Sequence, residues 1–285
     1  MSSFGAQVQT VLDRFGPLCV GVDPHVALLQ EWGLDATATG AREFGLRVVD
    51  AAAGRVGIVK PQVAFFERWG SAGFAALEEV LAAARSAGLV VIADAKRGDI
   101  GSTMAGYADA WLGSGAPLEA DAVTVSPYLG PESLRDTLTT AVHTGKGVFV
   151  LAATSNPDAT ALQSAHTVDV AATEGQTVAE RVARDVGWVN ASAMFAGGLG
   201  PIGLVIGATV DREALGLADD VVAGAPILAP GFGAQGVQPG DLPGVFGSVA
   251  RNVIASESRS ILSSGPERLA GAIADRAAEY RSIRG

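Results

Sequence analysis

The sequence predicts an α/β fold, a (β/α)8 TIM barrel forming a single domain over residues 1–285. Three observations predict it. Short apolar, β-branched runs alternate with longer alanine-rich amphipathic stretches, the pattern of βαβ units and a parallel sheet. Eight such runs fit within 285 residues with no evident linker, and one barrel takes typically about 250 residues. Charged and polar groups recur directly after the runs, and the C-terminal strand ends are where barrels carry their chemistry. A doubly wound open sheet is the alternative architecture.

The elements follow in order. The first strand, Leu18–Val22, ends in Asp23-Pro24, and a helix over Ala36–Ala53 follows. The second, Val56–Val59, runs into Lys60-Pro61 and is followed by a helix over Gly73–Ala87. The third, Leu89–Ala93, opens on Asp94-Ala95-Lys96-Arg97-Gly98-Asp99-Ile100-Gly101-Ser102-Thr103, with a helix over Met104–Leu112 beyond. The fourth, Ala122–Val125, ends in Ser126-Pro127 before a helix over Ser133–Thr144. The fifth, Gly147–Leu151, leads to Thr154-Ser155-Asn156. The segment from Asn156 to Gly200 is long for one connection and is expected to hold an extra loop or helix besides a helix over Ala171–Val186. The sixth strand is Ile202–Ile206. The seventh, Ala225–Ala229, precedes a loop rich in glycine, Gly231–Gly240, that contains Gln235. The eighth, Asn252–Ala255, ends in Ser256-Glu257-Ser258-Arg259-Ser260. A closing helix over Pro266–Arg281 begins with proline, as helix N-termini prefer.

Bulk properties narrow the function. Hydrophobic residues make up 48 % of the chain, enough for a large core. A net charge of −10 argues against a nucleic-acid-binding surface. An anionic ligand must then be met by local Lys, Arg or backbone donors. Cys19 is the single cysteine and sits in an apolar run, which reads as a small core residue. No secretory signal pattern and no apolar run of ~18 residues is present, so a cytoplasmic protein without a membrane partner is expected. His25, His143 and His166 lack metal-ligand spacing. Gly198-x-Gly200-x-x-Gly203 has the spacing of a dinucleotide fingerprint, but it precedes a strand where the fingerprint follows one.

The ten residues after the third strand carry the most information. Residues two apart in a strand share a face, so Asp94 and Lys96 leave it together, with Ala95 opposite. Two carboxylates and an ammonium at the mouth of an apolar strand are costly to place. An ion pair that merely closes the strand end is the simpler reading. The second carboxylate, Asp99, and the flanking Gly98 and Gly101 favour a functional one.

With Lys60, the decapeptide and the glycine-rich loop in view, the chain resembles the orotidine 5′-phosphate decarboxylase family, in its longer bacterial branch. The likeness runs from Cys19-Val20-Gly21-Val22-Asp23-Pro24-His25 to Arg259-Ser260-Ile261. It implies a homodimeric barrel that converts orotidine monophosphate to uridine monophosphate and carbon dioxide, with no metal and no organic cofactor. The catalytic array it implies is Lys60, Asp94, Lys96 and, from the partner subunit, Asp99. Lys96 would protonate C6 of the pyrimidine, and Asp94 would lie beside the departing carboxylate. Lys60 and Asp99 would hold the charges of the other two. Asp23 and Lys60 resemble ribose-hydroxyl contacts, and Ile100 and Thr103 resemble residues that reach the neighbouring site. Ser155 is similar to the serine that reads the pyrimidine edge, with Thr154 and Ser126 as competitors. Gln235 and Arg259 resemble phosphate ligands, and Gly231–Gly240 reads as a lid over the phosphate.

Two rivals stand beside this reading. Related barrels share D-x-K-x-x-D but act on sugar phosphates with magnesium, with an acidic residue where this chain has Lys60. A non-catalytic nucleotide sensor would need only ribose and phosphate contacts, not the full set of Lys60, Asp94, Lys96 and Asp99.

Overall fold

The structure is a computed structural model that describes residues 3–168, 174–192 and 198–284. Eight parallel strands close into one barrel in sequence order. They are β1 (Leu18–Val22), β2 (Ile58–Pro61), β3 (Val90–Arg97), β4 (Ala122–Val125), β5 (Gly147–Ala153), β6 (Ile202–Ile206), β7 (Ile227–Pro230) and β8 (Val253–Glu257). Closure is made by β1 pairing with β8, Leu18 against Ala255 and Val20 against Glu257. The open-sheet alternative is thereby set aside.

Period-two alternation sorts the strand side chains into two cores. Cys19, Ile58, Val90, Ile92, Ala122, Phe149, Val205, Leu228 and Ile254 fill the barrel interior. Their neighbours, among them Val20, Val59, Val91, Val123, Val148, Leu204 and Ala255, point outward into the helical layer. Two residues beyond the interior layer, toward the C-terminal mouth, the same phase delivers Gly21, Lys60, Asp94, Thr124 and Ser256. The rule that packs the core therefore also aims polar groups into the mouth.

A helix over Phe4–Phe15, absent from the predicted elements, plugs the opposite end. Ser3 caps it by accepting from the Ala6 N–H. Phe4, Val8 and Leu12 recur at helical spacing and join the interior core, with Phe4 edge-on to Phe149. The outer helices Ala38–Ala52, Gly70–Ser86, Gly101–Leu112, Arg135–Thr144 and Leu269–Arg284 fall on the predicted stretches. The helix expected over Ala171–Val186 instead spans Val178–Ser192, and residues 171–173 lie outside the described ones. The β5–β6 connection also holds the short turns Pro157–Ala159 and Thr160–Gln163. Gly198, Gly200 and Gly203 lead into and begin β6, so the fingerprint context fails as expected. Among the described residues, no helix is long and apolar enough to cross a membrane.

Candidate active site

A cavity of about 570 Å³ opens at the C-terminal mouth of the barrel. Its walls bring together Asp23 after β1, Lys60 on β2, Asp94 and Lys96 on β3, Ser155 after β5, Gln235 after β7 and Arg259 after β8. These residues are far apart in sequence, and parallel closure alone converges them.

The centre is a charge cluster built on Asp94. Its Oδ2 accepts from Lys60 Nζ at 2.8 Å and its Oδ1 from Lys96 Nζ at 2.6 Å. Thr124 Oγ1 donates to Oδ1 at 2.9 Å and in turn accepts from the Lys96 backbone N–H at 2.9 Å. Lys60 and Asp94 are buried, whereas the Lys96 side chain is 45 % exposed to the cavity. Burial alone would push the Asp94 carboxyl up. The Lys60 and Lys96 ammoniums outweigh it and hold the carboxyl well below the usual carboxylate range. Burial alone would likewise lower Lys60, but Asp94 and Asp23 hold its ammonium above the ordinary lysine value. Lys60 and Asp94 thus sustain each other as ions.

Lys96 has φ +48°, the single positive φ outside glycine among the described residues. The β3–β4 register shifts between Ala93 and Arg97 at the same place. Such a backbone costs of order 1–3 kcal/mol and is held only where its surroundings fix it. The Thr124 acceptor on the Lys96 N–H is one such restraint.

The remaining predicted residues divide in two. Ser155 Oγ donates to Gln235 Oε1 at 3.0 Å, joining the loop after β5 to the glycine-rich loop. Asp23 Oδ1 and Ser258 Oγ are buried with no hydrogen-bond partner, so the mouth holds unspent polar capacity. Of the three candidate pyrimidine readers, Thr154 and Ser155 line the cavity and Ser126 does not. Asp99, Ile100 and Thr103 do not line the cavity within one chain either. Asp99 Oδ1 accepts from the Ile100 N–H, and Ile100 is 60 % exposed.

The glycine-rich loop is a hydrogen-bonded turn. The Gly233 N–H donates to Val237 O and the Gly236 N–H to Gly233 O. Gly233 has φ +67°, and a Cβ there would lie 2.4 Å from both Glu257 Oε2 and Ser260 Oγ. Glu257 itself is fully buried, accepting from Tyr280 Oη at 2.8 Å and Ser260 Oγ at 2.6 Å, with Arg276 Nε 3.4 Å from its Oε2.

Sequence reading missed Thr124 and Gln163 as cavity residues, whereas His25 falls at the barrel mouth, where its place after the first strand puts it. Thr124 had a usable signal, a lone hydroxyl inside a buried strand and in phase with interior Ala122. His25 lines the mouth and packs on Phe65, ring centroids 4.0 Å apart. Gln163 had no local signal, because only the return of the β5–β6 connection brings it to the cavity.

A closed parallel barrel with a Lys–Asp–Lys cluster and a glycine-rich loop at its C-terminal mouth defines a (β/α)8 barrel enzyme. Comparison with known proteins is specific. Residues 16–272 match the orotidine 5′-phosphate decarboxylase / HUMPS family. Orotidine 5′-phosphate decarboxylase of Salinispora tropica is 48 % identical over 270 residues, covering 95 % of this chain and 93 % of its own. The enzyme of the same name from Corynebacterium glutamicum is 45 % identical, with 98 % of both chains covered. A crystal structure from Streptomyces avermitilis superposes with a TM-score of 0.91 at 46 % identity, covering 99 % of this chain and 96 % of that one. The chain belongs to the orotidine 5′-phosphate decarboxylase / HUMPS family.

Proposed function

We propose that this chain decarboxylates orotidine 5′-monophosphate to uridine 5′-monophosphate and carbon dioxide in pyrimidine biosynthesis, without metal or organic cofactor. The observation that carries the reading is the Lys60–Asp94–Lys96 cluster, with Lys60 and Asp94 buried and Lys96 open to the cavity, in the mouth of a barrel of this family. A lysine at position 60, where metal-dependent relatives of the pattern need an acidic ligand, favours the decarboxylase over a magnesium-dependent sugar-phosphate enzyme.

The chemistry follows from the charges. The bond between C6 and the carboxylate breaks, its electron pair stays on C6, and Lys96 Nζ delivers a proton there. Asp94 faces the substrate carboxylate. Two unit charges 4 Å apart repel by about 4 kcal/mol at an effective dielectric near 20, or about three decades of rate. The larger share must come from stabilising the carbanionic transition state with the preorganised Lys96 ammonium. Lys60 keeps Asp94 ionised, and Asp99 of a second subunit completes the alternating array. Gln235 and Arg259 take the phosphate, whose remote binding contributes to the barrier reduction. Asp23 and Lys60 take the ribose hydroxyls, in keeping with the unpartnered Asp23 Oδ1. Ser155 reads the pyrimidine edge, and Gly231–Gly240 closes as a lid.

A homodimer is part of the proposal, with Asp99, Ile100 and Thr103 contributed across the interface. Exposed Ile100, Tyr128 and Leu129, in the loops after β3 and β4, support it. Sedimentation at assay concentration should give a dimer; an active monomer would remove Asp99 from the array.

The direct test is chelator-treated protein mixed with orotidine monophosphate, followed by the loss of ultraviolet absorbance. Rapid conversion is expected, and Lys96→Ala should abolish it while uridine monophosphate still binds. Tight uridine monophosphate binding without turnover in the parent protein would make the chain a sensor. Activity only on sugar phosphates with magnesium would make it the metal-dependent relative.

A further inference from the structure

The long connection after β5 does work at the cavity. Its first turns, Pro157–Ala159 and Thr160–Gln163, fold back so that Asn156, Ala159 and Gln163 join the wall. Gln163 is half-buried and spends both ends of its amide on one residue. Its Oε1 accepts from the Thr154 N–H at 3.0 Å, and its Nε2 donates to Thr154 Oγ1 at 3.0 Å. The Thr154 hydroxyl passes its own proton to Asn156 Oδ1 at 2.6 Å. A hydroxyl has one proton to give, so Thr154 Oγ1 must accept from position 163. A primary amide satisfies both demands there, accepting from the N–H and donating to the hydroxyl. The next residue, Ser155, is the one whose hydroxyl reaches Gln235.

We propose that Gln163 is a positioning residue for base recognition. It locks the segment from Thr154 to Asn156 so that Ser155 is presented at once to the pyrimidine and to Gln235. The inference rests on the proposed nucleotide substrate, and it gives the extended connection a task in the reaction. Its effect falls on the base end of the ligand first, because Arg259 after β8 holds the phosphate, and Asp23 and Lys60 from β1 and β2 hold the ribose, without any hydrogen bond to the Thr154–Asn156 segment among the described residues.

The test compares Gln163→Ala and Gln163→Glu with the parent protein. Affinities for uridine monophosphate and for ribose 5-phosphate, which lacks the base, are measured together with turnover of orotidine monophosphate. Gln163→Ala is expected to weaken uridine monophosphate binding by about tenfold or more while ribose 5-phosphate binding stays within about twofold. Gln163→Glu keeps the acceptor for the Thr154 N–H, loses the donor to its hydroxyl, and should fall between. Ribose 5-phosphate binding also reports that each variant is folded. Equal losses for both ligands, or no loss for either, would overturn the proposal. A parent protein that binds uridine monophosphate but does not turn over orotidine monophosphate would overturn the enzymatic reading alone, and the affinity comparison would still decide the role of Gln163. A parent protein that binds neither ligand would overturn both.

Discussion

Thr124→Val isolates what holds the charge cluster in shape. Thr124 is 1 % exposed, and valine nearly matches its volume. The change removes one hydrogen bond to Asp94 Oδ1 and the acceptor of the Lys96 N–H, each 2.9 Å long. Asp94 keeps both ammonium partners, so its loss is about 1 kcal/mol. The Lys96 N–H is left unpaired in a half-buried position, at about 1–3 kcal/mol. The added methyl returns about 0.8 kcal/mol of apolar burial. The net destabilisation is then about 1–3 kcal/mol, read from urea unfolding. Catalysis should suffer more than binding. Lys96 sits at φ +48°, and without its restraint the backbone can relax and carry the ammonium off its mark. A shift of about 1 Å costs about 100-fold in rate, which is near 2.7 kcal/mol of barrier. Uridine monophosphate affinity is expected to stay within about threefold, because among the described residues the Thr124 hydroxyl bonds to Asp94 and Lys96 alone. A variant with kcat within about twofold of the parent and unchanged stability would refute the claim that Thr124 fixes the cluster.

Three further outcomes are expected. Tyr280→Phe leaves the buried Glu257 Oε1 without its 2.8 Å donor and should cost about 1–3 kcal/mol in urea unfolding. Gly233→Ala forces a Cβ against Glu257 and Ser260 at positive φ, and should weaken uridine monophosphate binding by about tenfold while uridine binding is unchanged. Glu119 bears on acid stability. Burial raises its carboxyl, but hydrogen bonds from Lys146, the Gly115 N–H and Arg85 prevail and lower it to about 2. A carboxyl lowered on folding stabilises the native state above its unfolded value near 4.3 and loses that contribution as pH falls toward 2. Glu119→Gln should therefore cost about 1–3 kcal/mol at pH 7, with the gap to the parent closing between about pH 4.3 and 2. A gap that is constant with pH would refute the assignment.

The eight strands were legible because each is a short apolar run, and the ranges of β1, β4 and β6 were predicted to the residue. Boundaries drifted where a charged residue extends a strand. β2 runs on through Lys60 and β3 through Lys96 and Arg97, although charge ordinarily marks a strand end. The helix Phe4–Phe15 was missed although Ser3, Phe4, Val8 and Leu12 spell a capped amphipathic helix. It precedes the first strand, so the strand–helix rhythm assigns it no place. Only the closed barrel shows its task, which is to cover the interior side chains of the N-terminal end. Gln163 and the Glu257–Tyr280 contact could not be read at all. Each joins residues that meet only after folding, and no local pattern pairs them.

The decapeptide shows how far a strand rule reaches. Alternation placed Asp94 and Lys96 on one face, and their 2.6 Å contact agrees. Yet Lys96 does not hold an extended backbone, and β3 slips register against β4 beneath it. In a regular strand, side chains at positions two apart run parallel, with Cα atoms roughly 6.5–7 Å apart. Both ammoniums must instead converge on one carboxylate, Lys60 from the neighbouring strand and Lys96 from two residues along the same one. The left-handed turn at Lys96 departs from that parallel arrangement just where the charges gather. Its cost is met by Thr124, which grips both the turned backbone and the carboxylate it serves. Identity of residues and their face were therefore written in the local sequence, whereas convergence depends on a hydroxyl 28 residues away. A lysine proposed to supply a proton at one fixed point needs both.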